Sequence, residues 1–279
     1  MAVSSNLDAL NCKKGVSIII PAYNEKDRIK STLEKYVPVI KSFNLPYEII
    51  VVIDGQDGTE NVIKDYTNLK YYKSAYRLGK GGAVKKGLSM AKYEYIGYLD
   101  ADGSLDIKGL MELLRQIQTN CCVIASRYMR ESRWINKQTM FRRLASRGFN
   151  FIANLVLHLK VKDSQCGAKF FRINVIAKIL PQLEVTNWAF DVSILYHIKK
   201  EGYTIKEIPI SWNHNEYSKI SAIAAIVPML FTVLGVKLMN SRIKDYVPEF
   251  LFKIISKLRI YRPKYHRIVE SKKILYTVI

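Results

Sequence analysis

Three short apolar runs frame the first half of the chain. Val16–Ile20 (VSIII), Tyr47–Ile53 (YEIIVVI) and Glu94–Leu99 (EYIGYL) are almost continuously hydrophobic, the pattern of strands covered on both faces. Stretches with helical spacing separate them, which predicts βαβ units and a parallel sheet, an α/β architecture. A fourth run, Cys121–Ser126 (CCVIAS), predicts a further strand, Phe141–Leu159 has helical periodicity, and Ile205–Ile210 predicts a late edge strand. Ligands of such sheets bind at the carboxyl ends of the strands. Those ends carry Pro21-Ala22-Tyr23-Asn24-Glu25, Asp54-Gly55-Gln56-Asp57 and Asp100-Ala101-Asp102, so three polar clusters are expected on one rim.

The pattern changes near Lys219. From Ile220 to Val236 there are 17 uncharged residues with Pro228 near the middle, short of the roughly 20 apolar residues of a spanning helix. The tail beyond holds 11 Lys/Arg against 3 Asp/Glu. One crossing would put that basic tail and the main domain on opposite sides of a membrane, although positive charge and a cytosolic substrate both ask for the cytosol. The segment is therefore read as interfacial or re-entrant. An amphipathic helix is expected to follow, with Val247, Phe250, Leu251, Ile254 and Leu258 at helical spacing among Lys253, Lys257 and Arg259. Two ordinary helices packed on the domain are the alternative. The expected division is one domain at 1–218 and a basic, apolar helical membrane-association region at 219–279.

Charge narrows the class of partner. With 44 Lys+Arg against 24 Asp+Glu over 279 residues, the net charge is +20, which points to nucleic acid, an acidic membrane surface or a phosphorylated substrate. No RNA- or DNA-binding motif occurs, and anionic lipid headgroups account better for the basic tail. The four cysteines show no C-x-x-C or disulfide-framework spacing, and the N-terminus lacks the apolar core of a signal peptide; a reducing, cytosolic setting is expected.

The chemistry-bearing residues gather at the strand ends. Asp100 and Asp102 repel unless a divalent metal, a basic partner or solvent lies between them; a D-x-D at a strand end suits Mg²⁺ or Mn²⁺ shared with substrate phosphates. Asp54 and Asp57 suit either hydrogen bonds to a nucleoside or plain turn chemistry. Arg77–Gly87 (RLGKGGAVKKG) is a basic, glycine-rich loop entering a helix, either a phosphate site or a solvated turn. It is neither a Walker A loop nor a dinucleotide fingerprint. Arg127 and Arg142 suit a second anion. Asp163–Phe171 (DSQCGAKFF) and Trp188–Asp191 (WAFD) add carboxylates, an amide and aromatic surface. Cys166 reads as a packing residue and the four histidines as structural or surface groups.

Nine blocks in order over about residues 15–220 carry a family resemblance: VSIIIPAYNE, EIIVVIDGQDGT, RLGKGGAVKKG, YLDADGS, ASRY, FRRLASRGFNFI, VKDSQCGAKFF, NWAFDVSILY and EIPISWNHNEYSKI. Together they resemble the family 2 glycosyltransferases, and most closely the dolichyl-phosphate β-glucosyltransferase branch with the polyprenyl-phosphate mannosyl- and glucosyltransferases. The resemblance implies a GT-A fold at 1–218, a nucleotide-sugar donor and inversion at the anomeric carbon. It makes Pro21, Tyr23, Glu25 and Asp54 nucleotide contacts, Lys80 a donor contact, Asp100 and Asp102 the diphosphate–metal pair, and Arg127 and Arg142 phosphate-holding arginines. Gln165-Cys166-Gly167 and Trp188–Asp191 match the glucosyl branch, implying UDP-glucose and an acceptor side that includes Gln165, Trp188 and Lys219. The chain departs from the pattern at Ile53-Asp54, where paired acids are usual and the following loop is one residue short. It departs again at Ser104, where the mannosyl branch has Gln, and in having no N-terminal anchor, which leaves membrane contact to the C-terminal region.

The implied reaction moves a hexose to a polyprenyl or dolichyl phosphate at the cytoplasmic face of a membrane, by a peripheral or monotopic enzyme of undetermined oligomeric state. A phosphate acceptor is already anionic and needs no general base, only positive charge to hold it. The runner-up is transfer to a hydroxyl of a lipid-linked glycan, which requires a carboxylate base, for which Asp163 and Asp191 are the candidates. A nucleic-acid-binding protein and an inactive carbohydrate-binding relative are the readings from other classes; the D-x-D and the two arginines speak against the second.

Overall fold

The computed structural model describes residues 12–135, 140–183, 190–213 and 222–241, with side chains for all of these except 141–142 and 222–229. In chain order the elements are β1 (Lys13–Ala22), α1 (Ile29–Lys41), β2 (Tyr47–Ile53), α2 (Thr59–Ile63), β3 (Leu69–Lys73), α3 (Gly79–Met90), β4 (Tyr93–Leu99), α4 (Ile107–Gln116), β5 (Cys122–Ser126), β6 (Arg133–Trp134), α5 (Met140–Leu157), β7 (Ala168–Arg172), α6 (Ile173–Ile179), α7 (Phe190–Lys200), β8 (Lys206–Pro209), β9 (Ser211–Trp212) and α8 (Ala222–Met239). Seven strands form one sheet in the order β3-β2-β1-β4-β7-β5-β8. Only β7 runs antiparallel to its neighbours, β4 and β5. The small β6 and β9 pair beside it.

Strand alternation explains why the apolar runs are continuous. Ile18 and Ile20 of β1 and Val51 of β2 point into one core with Ile29 and Leu33 of α1 and Leu110 of α4. Their neighbours Ile19, Ile50 and Val52 point into a second core with Val84 of α3, Phe149 of α5 and Ile194 of α7. With helices on both faces, neither side of these strands can be polar. The register places the carboxyl ends of β1, β2 and β4 side by side.

The predicted strands and the α5 helix are present, and β8 lies at the sheet edge as expected. Two strands of the main sheet, and the short β6–β9 pair, were not anticipated. β3 is an edge strand with mostly exposed residues, and β7 interrupts its apolar pattern with Lys169, which is fully buried. α8 lies within the region set apart at 219–279; Val233 and Val236 join the second core beside α5. No helix among the described residues is long and apolar enough to cross a membrane. The amphipathic helix expected around Val247–Leu258 lies outside the described residues.

Candidate active site

The end of β4 carries Asp100, and what surrounds it is a chain of alternating charges. Lys80, in the first turn of α3, places its ammonium 2.8 Å from Asp100 Oδ1 and 3.5 Å from Asp191 Oδ2. Asp191, in the first turn of α7, also receives the buried Lys169 ammonium at 2.6 Å and the Tyr98 hydroxyl at 2.5 Å, both on Oδ1. Lys169 donates a further hydrogen bond to the Cys166 carbonyl at 2.6 Å. The cluster thus joins three strand or helix starts to the rim.

Its electrostatics follow from that geometry. Burial alone would raise the Asp191 pKa, but Lys169, Lys80 and the Tyr98 hydroxyl together outweigh it and hold the carboxyl down at about 2. Burial would likewise favour neutral Lys80; Asp100 and then Asp191 reverse this, and Lys80 is held charged. Asp100 is pushed up, mainly by burial, with Lys80 pulling against it and Asp102 adding to the rise. A basic group, one of the three companions the sequence allowed for the acidic pair, stands at Asp100.

Asp100 sits flat on the start of β7. Its backbone N–H donates to the Gly167 carbonyl at 3.0 Å, and a Cβ at Gly167 would fall 1.8 Å from Asp100 Oδ2. A side chain there would occupy the carboxylate's place. Asp102 accepts the Ser104 N–H at 3.0 Å, and the buried Ser104 hydroxyl two residues on has no hydrogen-bond partner. Among the described residues no three His, Cys, Asp or Glu side chains cluster as a metal site. Two hard carboxylates two residues apart are a donor set that fits Mg²⁺ or Mn²⁺.

The β1 and β2 ends form a second part of the rim. Asp54 is buried, and its oxygens accept the backbone N–H groups of Leu78 (2.5 Å) and Gly79 (2.7 Å) at the start of α3. Arg77 pairs with it at 3.0 Å and lies flat over the exposed Tyr23 ring, 3.2 Å from its centroid. The Asp54 carboxylate lies at a helix N-terminus, where a negative charge is stabilised. Asp57 accepts from Lys26 N and from the Thr59 N–H and hydroxyl, which ties the Tyr23–Lys26 turn to α2. Glu25 pairs with Arg28 at 2.7 Å. Pro21 lies at the end of β1, half-buried beside these groups.

The third part lies after β5. Arg127 grips Asp163 with two nitrogens, Nε at 2.7 Å and Nη2 at 3.0 Å, and its backbone N–H donates to the same carboxylate at 2.9 Å. Tyr128, Trp134 and Trp212 surround the guanidinium at 5.5–5.9 Å. Arg143 lies over Trp134 and Arg147 over Tyr128, at 5.6 and 5.5 Å. Gln165 follows Asp163 and donates its N–H to it at 3.3 Å. Arg142 belongs to α5, and its side chain, like Trp188 and Lys219, lies outside the described residues. Cys166 is buried and its thiol is pushed up to about 12 by burial and by Asp163, as befits a packing residue. His197 is buried with both ring nitrogens unpartnered.

Sequence reasoning missed Tyr98 and Lys169, two of the three groups that fix Asp191, and Arg77, which turns Asp54 and Tyr23 into one unit. A lysine inside the apolar run AKFF was the available signal, because a buried ammonium requires a buried anion.

The comparisons with known proteins bear on this rim. The family model "Glycosyl transferase family 2" matches residues 17–180. A dolichyl-phosphate beta-glucosyltransferase of Dictyostelium discoideum is 30% identical over 240 residues, 80% of this chain and 73% of that protein. The protein of the same name from Homo sapiens is 32% identical over 227 residues, 74% of this chain and 70% of its own. Among solved structures, glucosyl-3-phosphoglycerate synthase from Mycobacterium tuberculosis in complex with Mn²⁺ and UDP-glucose superposes with a TM-score of 0.63 at 15% identity, covering 83% of this chain and 82% of that one. At that identity the likeness is one of fold, the GT-A arrangement of a mostly parallel sheet flanked by helices.

Proposed function

Since this chain belongs to glycosyl transferase family 2, we propose that it transfers glucose from UDP-glucose to a polyprenyl or dolichyl phosphate, with inversion at the anomeric carbon. The observation that carries the phosphate acceptor, beside the named relatives, is the state of the two carboxylates that a hydroxyl acceptor would need as base. Asp191 is clamped by Lys169, Lys80 and Tyr98 with its pKa held at about 2. Asp163 is clamped by Arg127. A general base works best with a pKa near the operating pH; Asp191 is held far below it, and both oxygens of Asp163 are occupied by Arg127. A phosphate nucleophile asks for none.

On this reading Tyr23 and Arg77 present a flat, cationic surface to the nucleoside. Asp100 and Asp102 would hold Mg²⁺ or Mn²⁺, whose chemistry is to neutralise charge on a leaving diphosphate. Lys80, already a hydrogen-bond partner of Asp100, adds fixed positive charge on the same side. Arg127 and Arg142 orient the acceptor phosphate for in-line attack, Arg127 being oriented in turn by Asp163. The site belongs on this account at the cytoplasmic face of a membrane.

The acceptor decides the matter. With UDP-glucose as donor, polyprenyl phosphate, polyprenol and a lipid-linked sugar should be offered in parallel. Acid-labile product from the phosphate alone is expected; acid-stable product from the lipid-linked sugar would transfer the assignment to a hydroxyl acceptor.

A further inference from the structure

The segment that carries Asp102 is gripped by the helix α1. Along that helix Thr32, Lys35 and Tyr36 stand at i, i+3 and i+4, on one face, and each donates to a main-chain carbonyl just past β4. The Thr32 hydroxyl reaches the Ala101 carbonyl at 2.7 Å, the Lys35 ammonium the Gly103 carbonyl at 2.6 Å and the Tyr36 hydroxyl the Leu105 carbonyl at 3.1 Å. Three alternate carbonyls thus meet three donors of one helix. The carbonyl of Ser104, between the last two, accepts the Asn213 N–H at 3.0 Å, so the residue after β9 holds the segment as well.

The local structure suits this contact. Gly103 has a φ of +67°, and a Cβ on it would lie 3.1 Å from the Thr32 hydroxyl; a side chain there would be strained and would crowd the donor. Thr32 and Tyr36 are buried, where hydroxyls are kept with partners. Ile29, Leu33, Val39 and Ile40 already dock α1 on the core, so neither hydroxyl is needed to seat the helix. Burial lowers the pKa of the half-buried Lys35, with Asp106 and Asp102 acting against the fall, and the ammonium is therefore coupled to the acidic segment. At its other end α1 is tied to the end of β1: the Ile29 N–H donates to the Glu25 carbonyl at 2.8 Å, and Glu25 pairs with Arg28. One helix joins the Tyr23–Lys26 turn to the Asp100–Asp102 pair.

We propose that Thr32, Lys35 and Tyr36 are positioning residues for the divalent cation: by holding the carbonyls of Ala101, Gly103 and Leu105 they fix Asp102 where it can share an ion with Asp100. The inference rests on the reading of these two carboxylates as the metal pair. Two effects of Lys35 on a bound cation have opposite signs. As a positive charge coupled to Asp102 it disfavours a second cation, so its removal alone would tighten metal binding. As a donor to Gly103 it holds the segment, so its removal would weaken metal binding. A hydrogen bond from a charged donor outweighs the screened repulsion of a half-exposed charge, and weakening is the predicted result.

The test is titration of the full chain with Mn²⁺, the free ion being read by electron paramagnetic resonance, with and without UDP. Thr32→Val and Lys35→Met should each weaken Mn²⁺ binding about three- to tenfold, the range that one lost hydrogen bond converts to, with metal-free UDP binding unchanged. Thr32→Ser and Lys35→Arg, which keep a donor, should restore it. Wild-type Mn²⁺ binding by Thr32→Val, or tighter binding by Lys35→Met, would overturn the proposal. So would equal weakening in the donor-keeping variants, which would reduce the contact to packing. Asp102→Ala, titrated in parallel, separates this inference from the reading beneath it. Wild-type Mn²⁺ binding there would remove the metal pair and the proposal together, whereas loss there beside unchanged Thr32→Val and Lys35→Met would overturn the positioning role alone. Should Thr32→Val fold poorly, Lys35→Met, at a half-buried position, decides the matter by the sign of its effect.

Discussion

Lys169 has no exposed surface and stands in the middle of a strand, where an ammonium survives only against a fixed anion. Asp191 is that anion, at 2.6 Å. Replacing Lys169 with Met leaves the Asp191 carboxylate buried with fewer partners, and breaking such a pair costs about 3–5 kcal/mol. The pH dependence gives the interaction a signature. The folded pKa of Asp191 is about 2, below its ordinary 3.8. Its stabilisation, on the order of 2 kcal/mol, is therefore complete above pH ~4 and lost as the pH falls toward ~2. Melting temperatures of wild type and Lys169→Met should differ most near neutrality and converge on acidification through that window. A gap that stays constant down to acid pH would mean the lysine stabilises by packing alone. The sequence announced both residues, since AKFF and WAFD were each visible, but their pairing depends on β7 passing antiparallel beside β4, which no local pattern specifies.

Elements supply the second level of explanation. The helix α3 begins with two glycines and a lysine and has no capping side chain of its own. Asp54, at the end of β2, satisfies the orphan N–H groups of Leu78 and Gly79 from outside the helix. The start of α3 is therefore tied to a residue twenty-four positions before Leu78. Asp54→Asn should weaken these charge-assisted bonds by about 2 kcal/mol, a drop of roughly 4–8 °C in melting temperature. It should also raise the KM for the nucleotide sugar by releasing Arg77 from Tyr23. An unchanged melting temperature with a raised KM would instead place Asp54 directly on the nucleotide. The long apolar strands were readable because both faces are covered, and so both neighbours of each strand residue are hydrophobic. β3 escaped because an edge strand with exposed side chains has no apolar pattern, and β7 because its buried lysine breaks the run.

For the molecule as a whole, the strand-end rule and the order of the motifs point to the rim from sequence, and β1, β2 and β4 do end there together. What the chain's net charge of +20 could not indicate is where the charge is displayed. The structure shows α5 and α8 free of acidic residues, with Arg142, Arg143, Arg147 and Lys237 as their ionic side chains. Nor could spacing alone separate a metal from a lysine as the companion of Asp100. Lys80 fills that role here, which is compatible with a metal shared with the donor diphosphate. The central claim is metal-dependent transfer of glucose to a lipid phosphate. Its most direct measurement is radiolabel recovered in the organic phase after incubating the protein with polyprenyl phosphate and each of a panel of labelled nucleotide sugars, with Mg²⁺ or Mn²⁺ and with a chelator. The account predicts acid-labile lipid label from UDP-glucose that the chelator abolishes. No lipid label from any donor, in a protein that still binds UDP-glucose, would contradict it.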